Sequence, residues 1–149
     1  MRLKKGLYAF EGRLPTGEEI ANALYRPSYI SFEYALAKHS IIPEAIYTIT
    51  SATTKPTRTF ETNNLGFEYF KIKKQAFTGY VLVKEGAART SNVLIAEPEK
   101  AVVDYLYFVS LGKRQPNDRM NIRGLNRKKI IRYANLYGRR GLMKLIEKL

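Results

Sequence analysis

Seven side chains near the end of the chain, Arg119, Arg123, Arg127, Lys128, Arg132, Arg139 and Arg140, are of the type and density that hold phosphate groups. Guanidinium and ammonium groups meet phosphates with high affinity, a steep dependence on salt and little choice of base sequence. Residues 111–149 carry twelve Lys and Arg against two acids, Asp118 and Glu147, a net of +10. The rest of the chain contributes only +3 to the formal total of +13, and the sequence pI is near 10.0. Two acids cannot neutralise twelve bases, so this stretch is not a face laced with salt bridges. Three readings stay open: a surface for a polyanion, nucleic acid first; a surface for an acidic protein partner; or a plainly solvated basic face.

Other constellations offer chemistry more weakly. Glu97-Pro98-Glu99-Lys100, with Asp104 a turn further on, has the residue types of a metal-dependent nuclease. Such a site gathers several carboxylates around one or two ions, yet Asp104 and Asp118 are the only aspartates of the chain. The simpler reading sets Glu97 and Glu99 at a helix N-terminus and pairs Lys100 with Asp104 at i, i+4. His39, the single histidine, falls near a helix end, where an imidazolium suits the dipole better than base catalysis. The absence of cysteine excludes disulfide scaffolds, thiolate zinc sites and cysteine nucleophiles. No phosphate-binding glycine loop occurs. No catalytic residue, metal site or cofactor is therefore expected, and the chain reads as a non-enzyme. Phe67, Tyr69, Phe70, Lys71, Lys73, Lys74, Phe77 and Tyr80 mix aromatics with lysines, as platforms for single-stranded nucleic acid do. Alternation puts Phe70 and Ile72 on one face and Tyr69, Lys71 and Lys73 on the other, which favours an ordinary half-buried strand.

The elements that must position these residues follow from periodicity. With 149 residues and 45% hydrophobic content, the chain can bury roughly 68–70% of its unfolded surface in one domain, with room for a small appendage. Pro15-Thr16-Gly17-Glu18-Glu19 suits a helix start with Ile20, Ala21 and Leu24 as its apolar stripe, broken at Arg26-Pro27-Ser28. A second helix is expected over about Ser31–His39, ended by Ile41-Ile42-Pro43. From Ala45 the period becomes two. Ile46–Ser51, Arg58–Thr62, Phe67–Lys73, Gly79–Lys84 and Asn92–Ala96 read as strands, with a turn at Asn63-Asn64-Leu65-Gly66 whose residues tolerate positive φ. Pro98 opens a helix to about Leu111, with Ala101, Val102, Tyr105, Leu106 and Val109 as its stripe. Gly112–Gly124 is a polar loop. Asn126 caps a helix with Ile130, Ala134 and Tyr137 on one side and Lys128, Arg132, Asn135 and Arg139 on another; Leu142, Leu145, Ile146 and Leu149 make a last stripe. No internal repeat appears. The order predicts an α+β fold of short helices, a central antiparallel sheet of about 4–6 strands, and basic C-terminal helices. No apolar run reaches the ~18 residues of a membrane span, and Met1–Arg13 lacks the apolar core of a signal peptide, so a soluble, cytoplasmic protein is expected.

Several of these segments, in order, resemble a known family. Pro27-Ser28-Tyr29-Ile30-Ser31-Phe32-Glu33-Tyr34-Ala35-Leu36 and Ile42-Pro43-Glu44 resemble the "PSYIS…AL…IPE" signature of the AbiEi antitoxins of abortive-infection systems. The Thr-rich stretch Tyr47–Thr62, Gly66-Phe67-Glu68-Tyr69, Phe77-Thr78-Gly79-Tyr80 and Ile95-Ala96-Glu97-Pro98-Glu99-Lys100-Ala101-Val102-Val103-Asp104 keep that family's order, over about residues 3–110. The resemblance implies a non-enzymatic antitoxin of a type IV system. Such proteins pair a winged helix-turn-helix that binds the operon's own promoter with a domain that counteracts a nucleotidyltransferase-like toxin. It further implies that residues 1–26 hold a remnant of the wing, Arg2–Phe10, plus a linker helix, and that residues 27–149 form the antitoxin domain; the role of its basic helical end at 111–149 rests on charge. A strand at 2–10 needs a neighbour, which leaves room for pairing with a second copy. Partners implied are operon DNA or RNA and the toxin.

Overall fold

The computed structural model describes residues 14–62, 64–85 and 91–149. The strand expected at 2–10, and any pairing of it with a second copy, lie outside the described residues. Thr16 opens the first helix, Gly17–Leu24 (α1), through a capping box. Its hydroxyl accepts from the Glu19 N–H at 3.1 Å, and the Glu19 carboxylate accepts from the Thr16 N–H at 2.9 Å, satisfying two donors that a helix start leaves open. Ile20, Ala21 and Leu24 are buried as the expected stripe. A short strand, Ser28–Ile30 (β1), follows, and then the helix Phe32–Lys38 (α2). Strands Ile49–Thr53 (β2), Arg58–Thr62 (β3), Leu65–Lys71 (β4), Tyr80–Glu85 (β5) and Ser91–Ala96 (β6) come next, before helices Pro98–Ser110 (α3), Arg127–Asn135 (α4) and Arg140–Glu147 (α5). The fold is α+β.

The sheet is mixed, which corrects the expectation of an antiparallel one. Its order is β3-β4-β2-β1-β6-β5. β2 runs parallel to β4, from Ile49 opposite Phe67 to Thr53 opposite Lys71, and β1 runs parallel to β6, with Ile30 opposite Ile95. The β3–β4 hairpin has its expected antiparallel register, Phe60 opposite Phe67. However, the second strand of the hairpin, not the first, meets β2, and that makes the contact parallel. Asn64 takes the positive φ of the turn, at 64°. Gly66 instead lies within β4, where a Cβ would stand 3.3 Å from the Thr48 hydroxyl.

Helices cover both faces of the sheet, so every residue of central β2 is buried. On one face, Tyr69 donates its hydroxyl to the Ala21 carbonyl of α1 at 2.5 Å, and Tyr25 sits edge-on to it at 5.2 Å. On the other, the Phe32 ring packs edge-on to Phe70 at 5.4 Å and to Phe108 of α3 at 5.2 Å. Phe32 holds a left-handed φ of 58°, which costs an L-residue about 1–2 kcal/mol. Full burial of its ring offsets that strain. β1 meets β6 in register at Ile30 and Ile95, and at the preceding residue of β6 a side chain of α1 takes over: the Asn22 amide donates to the Leu94 carbonyl at 3.2 Å, and its oxygen accepts the Leu94 N–H at 2.7 Å.

α4 and α5 pack on α3 and on each other, burying Ile130, Tyr133, Ala134, Leu142 and Ile146. Asn126 caps α4 as expected, accepting from the Lys129 N–H at 3.2 Å. The helix ends at Asn135, and Gly138 turns the chain with φ 58°. Arg139 therefore does not continue the row of Lys128, Arg132 and Asn135; it stands at the N-cap of α5. The polar loop after α3 is tied down: Asn121 N–H donates to the Ile41 carbonyl at 2.8 Å, and Arg114 pairs with Glu33 at 2.7 Å. No helix among the described residues is long and apolar enough to cross a membrane.

Candidate functional site

Lys100 and Asp104 lie one turn apart on α3, and both are fully buried. Their ion pair is 2.5 Å long. Asp104 Oδ1 also accepts from the Tyr137 hydroxyl at 2.6 Å, and Oδ2 accepts from Tyr29 at 2.8 Å and Ser31 at 2.7 Å. Lys100 Nζ adds a bond to the Tyr29 oxygen at 2.8 Å. A carboxylate with four donors is a satisfied buried charge. The i, i+4 pair was legible in the sequence, but its burial and its three hydroxyl donors were not, because they come from β1, its flank and the α4–α5 turn. The cluster is sealed from solvent, so it fastens α3, β1 and the two basic helices to one another rather than presenting a reactive group.

Gly79 makes room for this cluster. It holds φ 81°, and a Cβ there would stand 2.7 Å from Lys100 Cγ. Gly79→Ala is expected to lose at least about 2 kcal/mol, combining left-handed strain with overpacking. The check is a lower urea midpoint at an unchanged m-value.

Burial, with the neighbouring Asp104 charge, pushes the Tyr29 and Tyr137 phenols well above their ordinary range, and burial does the same to Tyr69. Desolvation lowers the Lys100 ammonium from its usual value, against the pull of Asp104. For the raised phenols, the folded state holds protons that the unfolded chain releases. The stability they contribute is complete below the ordinary phenol value of about 10 and drains away as pH rises through it toward the folded value. The expected result is a falling urea midpoint above about pH 10, with the phenolate absorbance of these three tyrosines appearing only on unfolding. Native-state titration of all eleven tyrosines would contradict it.

The seven basic candidates divide. Arg119, with 69% of its side chain exposed, pairs with Glu44. Glu44 is held below the usual carboxylate range by its own backbone N–H and the Asn117 amide, with Arg119 adding to the effect. Arg127 reaches the Ile146 and Leu149 carbonyls at 3.4 Å, closing the end of α5. Arg139 bonds Ser110 through its hydroxyl at 3.0 Å and its carbonyl at 3.1 Å, closing the end of α3. These three cations are engaged within the fold. Arg123, Lys128, Arg132 and Arg140 are exposed and have no ion pair among the described residues, although Arg132 lies over the Tyr133 ring at 5.5 Å. Lys144 and Lys148, which sequence reasoning did not single out, are exposed on α5 in the same condition.

The nuclease-like carboxylates do not converge. Glu97 accepts from Lys129 at 2.8 Å and from Tyr133, which hold it below the usual range, while Glu99 accepts the Asn126 N–H at 2.9 Å. Asp104 is turned into the core. Among the described residues, no three His, Asp or Glu side chains gather to hold a metal ion. His39 caps α2 and places Nε2 2.8 Å from the Ala96 carbonyl. Of the aromatic–lysine set, Phe67 and Tyr69 are core, while Phe70, Phe77 and Tyr80 are half-buried. No family model matches the chain, and no curated protein matches it.

Proposed function

We propose that this chain is a non-enzymatic antitoxin of the AbiEi kind, acting in the cytoplasm against a nucleotidyltransferase-like toxin, and that its α4–α5 surface engages nucleic acid. One observation carries the surface assignment: Arg123, Lys128, Arg132 and Arg140 stand exposed on or beside these helices without an ion pair among the described residues, Arg132 feeling Glu97 only through space. Cations left free by the fold are available to replace the counterions of a phosphate backbone. The antitoxin assignment rests on the ordered motifs from Pro27 to Asp104.

Two measurements test the two halves. Labelled DNA and RNA, titrated with the protein across a potassium chloride series, should show log affinity falling linearly with log salt. Affinity that ignores salt removes the polyanion. A nuclease-resistant pull-down of the toxin, together with no nucleic-acid binding, transfers the same face to an acidic protein. For the antitoxin role, co-expression with the protein encoded beside it should restore growth when that neighbour is toxic, and no rescue counts against the role.

A further inference from the structure

A groove of about 510 Å³ opens between the end of the β3–β4 hairpin and the C-terminal turn of α3, and none of the exposed α4 cations named above lines it. Half-buried Leu111, with the nearly buried Ile72 and Phe108 beneath, forms its apolar side, and Lys71, Lys73 and Lys113 surround it, with no acid in its lining among the described residues. Lys71 and Lys113 are exposed and have no ion pair among the described residues. Lys73 is fixed, its Nζ donating to the Tyr137 carbonyl at 2.6 Å. That carbonyl precedes the turn carrying Arg139 and Arg140, so the groove adjoins the basic helices rather than standing alone.

Apolar walls ringed by free cations call for a ligand with a flat apolar body and an anionic group. The volume lies within the range of small-ligand clefts. We propose that the groove seats one unpaired nucleotide of a single-stranded nucleic acid, its base against Phe108, Ile72 and Leu111 and its phosphate between Lys71 and Lys113. This rests on the polyanion reading above and adds strand selectivity to it. A duplex keeps its bases paired inside and cannot place one in a cleft, whereas a single strand can.

The probe is a labelled oligothymidylate of about a dozen nucleotides, compared with a duplex of equal length. The wild-type chain should prefer the single strand by on the order of tenfold, the scale of one seated base. The double variant Lys71→Gln/Lys113→Gln changes two exposed side chains and should melt as the wild type does. It should lose most of that preference and reduce the single-strand salt slope by about 0.7, the share of the one phosphate held between the two lysines. A preference that survives in this variant, or that is absent from the wild type, overturns the proposal. Displacement of the oligonucleotide by submillimolar adenosine monophosphate overturns it in favour of a free nucleotide. Lys128→Glu/Arg140→Glu separates the two readings, because it should weaken single strand and duplex alike. If it changes neither while the groove variant does, the α4–α5 assignment fails and the groove stands.

Discussion

Asp104→Asn is expected to destabilise the protein by about 3–5 kcal/mol, the cost of breaking a buried ion pair from one side. The substitution is nearly isosteric, so packing is not what it tests. It strands the Lys100 ammonium, fully buried, without a counter-charge. It also puts an amide NH2 where an oxygen accepted from Tyr137 and Lys100 or from Tyr29 and Ser31, leaving at least one hydroxyl without its acceptor. Lys100→Met should cost a similar amount by stranding the carboxylate. The double variant should cost clearly less than the sum of the two, because each single change already removes their mutual attraction. Urea unfolding of the four proteins gives the cycle. Additive losses would mean that the pair is not coupled, contrary to its 2.5 Å contact.

The second large effect concerns binding. Lys128→Glu/Arg132→Glu/Arg140→Glu should weaken duplex binding on the order of a hundredfold at moderate salt and flatten the salt slope by nearly three. These residues are chosen because their charges enter no ion pair among the described residues. Arg139 would be a poor choice despite its neighbouring place in the chain. Its two bonds to Ser110 close α3, so Arg139→Glu would confuse lost affinity with a loosened helix end. Arg119→Gln is the useful control: Glu44 already engages that cation, and only a small change is expected. Unchanged binding in the triple variant would leave the α4–α5 surface as solvated charge.

Much of this arrangement could be read from local signals. The helix-start signals at Pro15–Glu19, Pro98 and Asn126 put α1, α3 and α4 close to where they occur. The β3–β4 hairpin was legible because two β-rich runs flank asparagines that accept positive φ. The three residues of β1 were not legible, being too few to show a period. They were hidden between a helix-breaking Pro27 and the helix after Ser31, yet β1 is central to the sheet. The parallel contacts escaped for a related reason: alternation tells which residues share a face, not which distant strand lies alongside. At the candidate site, composition located the basic end of the chain but could not say which cations were already engaged. Arg127 and Arg139 bond carbonyls at helix ends and Arg119 meets Glu44, all through contacts set by tertiary packing.

Asn22 imposes a demand of its own on the fold. Its amide grips the N–H and C=O of one residue, Leu94, as the edge of a peptide unit would. In a strand both groups of a given residue point to the same side, and those of its neighbours point to the opposite side. A side chain anchored on α1 can therefore clasp β6 only at every second residue. A slip of β6 by one position would turn its inward side chains to the wrong face and also withdraw both groups from Asn22. The helix thus acts as a gauge that checks the alignment of the sheet. The gauge depends on an amide: aspartate would offer no donor to the Leu94 carbonyl, and leucine would offer neither donor nor acceptor.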